Sequence, residues 1–191
     1  MIFETERLIL RPLAETDAES IFEYAKDSDV GPVAGWPAHQ SVQESRDVIR
    51  EVLSGPQCYG LCLKSDNRAI GAIELILNGH TALTYRDDEC ELGYWIGKPF
   101  WGNSYMPEAA KCLIQYGFEK LGMRRIWCSY FEGNEKSKRV QEKCGFIYNK
   151  TREKLEVPLL NEVRTSHTNV LTKERWCELH NKSKMYKFKK V

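Results

Sequence analysis

Long apolar runs are missing from this sequence, and so is an excess of charge of either sign. No hydrophobic stretch approaches the roughly 20 residues that a helix needs to cross a bilayer, and the first residues lack the pattern of a signal peptide. The 28 basic and 27 acidic side chains leave a formal net charge of +1, which argues against a dedicated nucleic-acid or membrane-surface protein. We therefore expect a cytoplasmic protein with neither nucleic acid nor a membrane as its partner.

Clustered metal ligands are missing as well. The four histidines are dispersed, and the seven cysteines are scattered without a C-x-x-C pair. Most of the cysteines lie among apolar residues, namely Cys58, Cys62, Cys112, Cys128 and Cys144. This pattern is typical of reduced core thiols in a cytosolic protein, and it predicts no metal site.

The most informative stretch that is present runs from residue 89 to residue 121. It begins with the β-prone run Glu91 to Ile96 and ends in a helical pattern with apolar residues three and four positions apart. Small and polar residues from Trp101 to Pro107 join the two parts. The first amides of a helix lack partners within the helix, and the helix dipole favours negative charge there. The stretch therefore predicts an anion site suited to a phosphate-bearing cofactor, although an ordinary strand–loop–helix connection has the same pattern.

The remaining patterns predict one domain of alternating strands and helices. The predicted strands are residues 7–13, 58–63, 69–77, 91–96, 125–131, 146–154 and 162–171, and helices lie between them in the order β-α-α-β-β-β-α-β-α-β-β. An antiparallel meander followed by β-α-β-α-β indicates a mixed sheet with helices on both faces. We predict a single domain over residues 1–181, followed by a basic, solvated tail at residues 182–191.

Local signals add expectations about helix caps and about one loop. Thr16, Ser41 and Thr172 are each placed to cap the start of a helix. Residues 29–40 are rich in glycine and proline, so we expect an irregular loop there. Trp36 in this loop either closes the edge of the core or lines a substrate cleft, and the sequence leaves both alternatives open.

Six short motifs occur in a fixed order along the chain. They are ETERLILR at 4–11, GWP at 35–37, IG at 70–71, ELGYWI at 91–96, the segment from Trp101-Gly102 to Glu108-Ala109, and Asn134-x-x-Ser137-x-x-Val140-x-Glu142-Lys143-x-Gly145-Phe146. Together they resemble the GNAT superfamily of acetyl-CoA-dependent N-acetyltransferases, and within it the RimJ/RimL-like branch of ribosomal-protein N-terminal acetyltransferases. The resemblance covers residues 3–180.

The resemblance implies a fold and a cofactor site. The fold is the GNAT fold, an α/β (mixed α+β) architecture with a single mixed, mostly antiparallel sheet of about seven strands, splayed at the cofactor strand, and helices on both faces. Acetyl-CoA is the implied co-substrate, without a metal. Its pantetheine arm is expected on the backbone of Tyr94, Trp95 and Ile96, and Asn134 is expected to bond nearby or to act as a plain helix cap. The pyrophosphate is expected on the turn formed by Trp101, Gly102, Asn103, Ser104, Tyr105 and Met106.

This turn departs from the family pattern Gln/Arg-x-x-Gly-x-Gly/Ala. Trp101, Ser104 and Met106 occupy the three specified places. Main-chain amides can still bind the phosphates, because every residue except proline has an N–H group. The Ser104 hydroxyl adds a donor, whereas the bulk of Met106 is expected to lie close to the phosphates and to weaken CoA binding.

The resemblance also implies candidates for the chemical step. Many family members place a tyrosine four residues before the position of Gly145, but Gln141 stands there in this chain. The RimL-type alternative predicts Ser137 as the donor to the departing thiolate and Glu156, on the connection between the last two strands, as the base for the amine. Glu74 and Glu91 are the other candidate bases, and for each acid a solvated structural role stays open.

These observations predict an enzyme that transfers acetyl from acetyl-CoA to a primary amine by direct attack in a ternary complex. The acceptor is a protein N-terminus, as the branch name suggests, or a small amine. A covalent cysteine intermediate is not expected, because no cysteine in the motifs has a histidine partner. The alternative function is a GNAT-fold module that binds CoA or a partner without turnover. Relatives often form homodimers, and the sequence leaves that question open.

Overall fold

The computed structural model describes residues 1–180, so the basic tail predicted at residues 182–191 lies outside the described residues. Eight strands form one mixed sheet in the order β1-β2-β3-β4-β5-β6-β8-β7. Their bounds are β1 Phe3–Glu4, β2 Leu8–Arg11, β3 Cys58–Leu63, β4 Ala69–Leu77, β5 Glu89–Ile96, β6 Arg125–Phe131, β7 Ile147–Val157 and β8 Glu162–Thr172. The predicted fold class is confirmed. The sheet has one strand more than expected, because β1 is only two residues long and was not predicted.

Five α-helices lie between the strands of the described chain, and a sixth follows the last strand. They are α1 Ala18–Ala25, α2 Gly31–Ala34, α3 Val42–Glu51, α4 Tyr105–Glu119, α5 Glu135–Lys143 and α6 Lys173–His180. The predicted caps at Ser41 and Thr172 are confirmed, because their hydroxyls accept hydrogen bonds from the amides of Glu44 at 3.0 Å and Arg175 at 3.2 Å. None of the helices within residues 1–180 has both the length and the apolar character that crossing a membrane requires.

Two local predictions in the first half of the chain are wrong. Thr16 does not cap α1, because it lies inside a 3₁₀ turn, Glu15–Asp17, that precedes the helix. The turn is held by Asp17, whose carboxylate accepts the amide of Ala14 at 2.9 Å and forms a bidentate pair with Arg11. The loop at residues 29–40 is not wholly irregular either, since it contains the short helix α2 with Pro32 in its first turn.

The chain divides into two compact units. The first contains Met1–Glu74 and Tyr94–Ala109, and the second contains Leu75–Gly93 and residues 110–180 of the described chain. That residues 1–181 form a single domain stays a prediction.

The first unit has a core between two helices and the inner strands. Small and branched apolar side chains from α1, the α3 region, β3 and β4 form it, namely Ala18, Ile21, Ala25, Ile49, Leu53, Cys58, Cys62, Ala69 and Ala72. Trp36 packs against this cluster, and its ring lies 5.4 Å from that of Trp95 in an edge-to-face arrangement. Trp36 therefore packs at the edge of the core, and its second predicted alternative, a place in the substrate cleft, stays a prediction.

The second unit is built around β6, which pairs with β5 on one side and with β8 on the other. The ladder between β6 and β8 is antiparallel and extends over the whole of β6. The ladder between β5 and β6 is parallel and consists of three pairs, the last of which joins Glu91 to Trp127. Both strands continue beyond that pair without a further ladder pair between them in the described chain, which agrees with the expectation of a sheet splayed at this strand.

Candidate functional site

The turn between β5 and α4 presents a row of main-chain amides. Gly102 and Ser104 both have left-handed backbone angles, with φ of +81° and +60°. Such turn conformations direct successive N–H groups into one concavity, which suits an anion. Ser104 also begins α4, because its carbonyl accepts the amide of Glu108 at 3.2 Å. Within residues 1–180, the amides of residues 102–106 donate to no other protein atom.

The space beside Gly102 is open. A Cβ atom built on Gly102 would meet no atom within 4 Å. Met106, which was expected to lie close to the phosphates, is only 4% exposed in the first turn of α4, and its effect on CoA binding stays a prediction. The indole of Trp101 donates to the carbonyl of Ile96 at 2.9 Å. Both bulky side chains that depart from the family pattern are thus held by contacts within the protein.

The end of β5 is fixed by its close approach to β4. A Cβ atom at Gly71 would lie 2.3 Å from the carbonyl oxygen of Trp95, so only glycine allows the two backbones to come this near. The amide of Gly97 also donates to the carbonyl of Ile70 at 2.9 Å. The predicted pantetheine residues Tyr94, Trp95 and Ile96 thus lie on a firmly placed strand end, and all three are half-buried.

In the second unit, Glu91 is a carboxyl group with an altered acidity. The Thr81 hydroxyl donates to it over 2.5 Å, and Ser129 supplies a second side-chain hydrogen bond. Burial raises the pKa of the Glu91 carboxyl above its ordinary value, although both hydroxyls favour the charged form. The raised pKa makes Glu91 a candidate for taking up a proton from a substrate.

Glu89, two residues earlier on β5, has the opposite character. Its carboxylate is buried and accepts hydrogen bonds from Trp127 at 2.7 Å, Thr84 at 2.8 Å and Arg125 at 3.0 Å. Burial by itself would raise the pKa of Glu89, but these three donors outweigh it and lower the pKa. Glu89 therefore remains ionised and ties β5 to β6 where their ladder is intact.

Ser137 and Asn134 meet at the start of α5. The Asn134 side chain accepts the amide of Ser137 at 3.1 Å, which makes Asn134 the helix cap. Gln141, one turn further on and 1% exposed, donates to the Ser137 hydroxyl oxygen at 3.2 Å and accepts from Asn169 at 2.9 Å. Gln141 thus holds Ser137 in place. The sequence offered one signal for this contact, since residues four apart share a helix face.

The other two candidate bases, Glu156 and Glu74, lie on β7 and β4. Glu156 was expected on the connection between the last two strands, but it lies on β7, which continues to Val157, and it is exposed. Glu74 is half-buried on β4, where its register partner on β3 is Cys58. Neither position contradicts a catalytic role, and both residues stay predictions.

Four of the buried cysteines have thiols of reduced acidity. Burial raises the pKa of Cys58, Cys90 and Cys144 to about 12 and that of Cys62 to about 11, so these thiols are protonated at neutral pH. Within residues 1–180, no group of three histidine, cysteine or acidic side chains is placed to hold a metal ion.

A splayed parallel strand pair, an open turn of left-handed residues and a helix that begins at that turn define an acyltransferase architecture. The family model for the acetyltransferase (GNAT) domain matches residues 7–147. The chain therefore belongs to the GNAT acetyltransferases, as its motifs predicted, and acetyl-CoA is the co-substrate that this family uses.

Known relatives agree with this assignment. The uncharacterized N-acetyltransferase YoaA of Bacillus subtilis is 31% identical over 150 residues, which cover 76% of this chain and 82% of that protein. A GNAT-family acetyltransferase from Bacillus anthracis superposes with a TM-score of 0.78 at 24% identity, covering 91% of this chain and 99% of that one. The ribosomal-protein-S5-alanine acetyltransferase of Vibrio fischeri shares the fold, with a TM-score of 0.68 at 18% identity and coverage of 92% and 98%.

Proposed function

We propose that this acetyltransferase transfers acetyl from acetyl-CoA to a primary amine by direct attack in a ternary complex. The acceptor we favour is the N-terminus of a ribosomal protein, and a small amine is the other class. The structural neighbour from Vibrio fischeri is named as an acetyltransferase of alanine in ribosomal protein S5, and this name supports our preference for a ribosomal-protein acceptor. Because ribosomal proteins are cytoplasmic, a cytoplasmic location of this protein is part of the same proposal.

The observation that carries the proposal is the open turn after β5. With Gly102 and Ser104 in left-handed conformations and Met106 buried, the amides of residues 102–106 are suited to the diphosphate of CoA. Pro107 has no amide hydrogen, so the donors end at Met106. The backbone of Tyr94 to Ile96 and the Asn134 side chain are the proposed partners of the pantetheine arm.

Bound acetyl-CoA supplies a thioester whose carbonyl carbon forms a bond with the amine nitrogen while the carbon–sulfur bond breaks and CoA leaves as a thiol. Glu91 is proposed to accept the proton that the amine loses, because a base is most effective when its pKa is close to the working pH. The Ser137 hydroxyl, placed by Gln141, is proposed to donate to the departing sulfur. Glu156 and Glu74 are the alternative bases.

A thiol-release assay tests the function. Acetyl-CoA is incubated with the protein and a panel of peptides with free N-termini, polyamines and amino acids, and CoA thiol is followed with a chromogenic disulfide. We expect thiol release that requires an amine, with a matching acetylated product in the mass spectrum. If calorimetry shows that CoA binds but no amine leads to thiol release, the alternative function, a CoA-binding module, is favoured. The observation that supports this alternative is the replacement of the family tyrosine by Gln141.

A further inference from the structure

The side chain of Arg7, between β1 and β2, reaches the proposed diphosphate turn within the first unit. Its Nε donates to the Glu108 carboxylate at 2.8 Å, and a second guanidinium nitrogen lies 2.7 Å from the same oxygen. A third nitrogen donates to the carbonyl of Asn103 at 3.0 Å. The guanidinium carbon stands 4.3 Å above the centre of the Tyr105 ring. One side chain thus contacts the residues on both sides of Ser104.

Glu108 fixes Arg7 from the other side. Its second carboxylate oxygen accepts the Thr5 hydroxyl at 2.5 Å and the main-chain amide of Arg7 at 2.8 Å. Burial would raise the pKa of Glu108, but these hydrogen bonds and the guanidinium outweigh it and lower the pKa. The Glu108 side chain is 10% exposed, so its ionised form depends on these donors. The network is therefore well ordered on the protein side of the turn.

The contact with Asn103 has a direct consequence for the turn. The carbonyl of Asn103 and the amide of Ser104 belong to one planar, trans peptide, in which the C=O and N–H bonds point in opposite directions. Because Arg7 holds the carbonyl, the N–H of Ser104 must point away from Arg7. Residues 102–104 are exposed, so packing does not set this orientation.

We propose that Arg7 is a positioning residue for the diphosphate of acetyl-CoA, acting through the Asn103–Ser104 peptide. The inference rests on the proposed use of acetyl-CoA at this turn. It assigns a function to the ETERLILR motif at the start of the chain, far in sequence from the turn. Arg7 acts by geometry rather than by its charge, so lysine does not replace it.

The chain provides a matched control in Arg11. This arginine lies at the end of β2 and also forms a bidentate pair, with distances of 2.7 and 2.8 Å to Asp17. Its other partners are Asn67 and the carbonyl of Pro12, and none of them belongs to the turn. Arg7→Met and Arg11→Met should therefore lower the melting temperature alike while differing in their effect on CoA.

The experiment measures CoA binding by calorimetry and turnover with two acetyl donors, acetyl-CoA and S-acetylpantetheine, which has no diphosphate. For Arg7→Met we expect the Kd of CoA and the KM of acetyl-CoA to rise about tenfold, as for the loss of a charge-assisted hydrogen bond. We expect kcat, and kcat/KM for S-acetylpantetheine, to stay as in the unchanged protein. Glu108→Gln and Arg7→Lys should show the same pattern, and Arg11→Met should leave the Kd of CoA unchanged.

Three results with the methionine variants would overturn the inference. They are an unchanged Kd of CoA in Arg7→Met, an equal rise in Arg11→Met, and an equal loss with both acetyl donors. Full recovery by Arg7→Lys would show that the charge acts on the phosphates directly, and it would also refute positioning through the peptide. If the unchanged protein binds CoA but releases no thiol with any amine, the proposed function fails, and the Kd values alone decide the role of Arg7.

Discussion

The Thr81 hydroxyl donates a hydrogen bond of 2.5 Å to the Glu91 carboxylate, ten residues further along the chain. The loop between β4 and β5 thus folds back on the strand that contains the candidate base. Ser129 on β6 approaches the same carboxyl group. These hydroxyls restrict the rotation of the Glu91 side chain, as a proton acceptor with a fixed direction requires.

Replacing Glu91 by glutamine should remove the base with little change in shape. We expect kcat to fall about 100-fold, which is within the usual range for general-base catalysis. In the unchanged protein, kcat/KM should rise with pH through the pKa of Glu91, which burial places above the ordinary carboxyl value. That rise should disappear in Glu91→Gln. Glu156→Gln is the control, and loss of the rise in that variant or in Glu74→Gln would identify a different base.

The same carboxyl group should make stability depend on pH. Because the folded pKa of Glu91 is raised, its contribution is fully present below the unfolded pKa and is lost as pH rises through the folded pKa. Urea unfolding between about pH 4 and about pH 8 should therefore show that the unchanged protein loses stability relative to Glu91→Gln as pH rises. Identical profiles for the two proteins would contradict the raised pKa.

Ser137→Ala should separate chemistry from cofactor binding. We expect kcat to fall about tenfold, because the departing sulfur loses one hydrogen bond, while the Kd of CoA stays unchanged. Arg139→Ala, at an exposed position of the same helix, serves as the control. An undiminished kcat would remove Ser137 from the catalytic residues, and a weakened Kd would assign it to cofactor binding.

Ser104→Gly should stabilise the protein. Serine pays a steric penalty of about 1 kcal/mol at φ of +60°, and glycine does not. Ser104→Ala keeps the penalty and should leave the free energy of unfolding unchanged. CoA affinity should fall by no more than about threefold in both variants, because main-chain amides supply most of the binding. A larger, equal loss in both would show that the hydroxyl is a principal ligand.

Thr168→Val should also stabilise the protein. The Thr168 hydroxyl is buried on β8 and has no hydrogen-bond partner within the described chain. Replacing it by a methyl group of similar size should add about 1 kcal/mol to the free energy of unfolding, because an unpaired buried hydroxyl is destabilising. Thr168→Ser retains the hydroxyl and should not stabilise. A loss of stability in Thr168→Val would instead indicate a bound water that pairs with this group.

Local patterns predicted much of the fold. The bounds of β3 and β4 agree with the sequence, because apolar runs there end at clear turn signals. The helix cap at Asn134 was equally readable, since capping involves residues only three apart. The splayed sheet came from the family resemblance rather than from any local pattern.

The parts that sequence did not predict depend on contacts distant in the chain or on a changed strand length. Thr16 failed as a cap because Arg11 and Asp17 hold the preceding turn in another conformation. Glu156 was misplaced because β7 pairs with β8 for three residues more than predicted, through two register shifts. The hydrogen bond between Thr81 and Glu91 could not be predicted, since nothing in the sequence of the loop between β4 and β5 specifies how that loop folds back.

The burial of six thiols leaves the chain with a natural chemical handle. Cys177 on α6 is the exposed member of the seven cysteines, all of which lie in the described region. A maleimide fluorophore should therefore attach at one defined place without prior removal of other cysteines. Changes in its emission as CoA or an amine is added would report on events in the second unit while leaving every proposed site residue untouched.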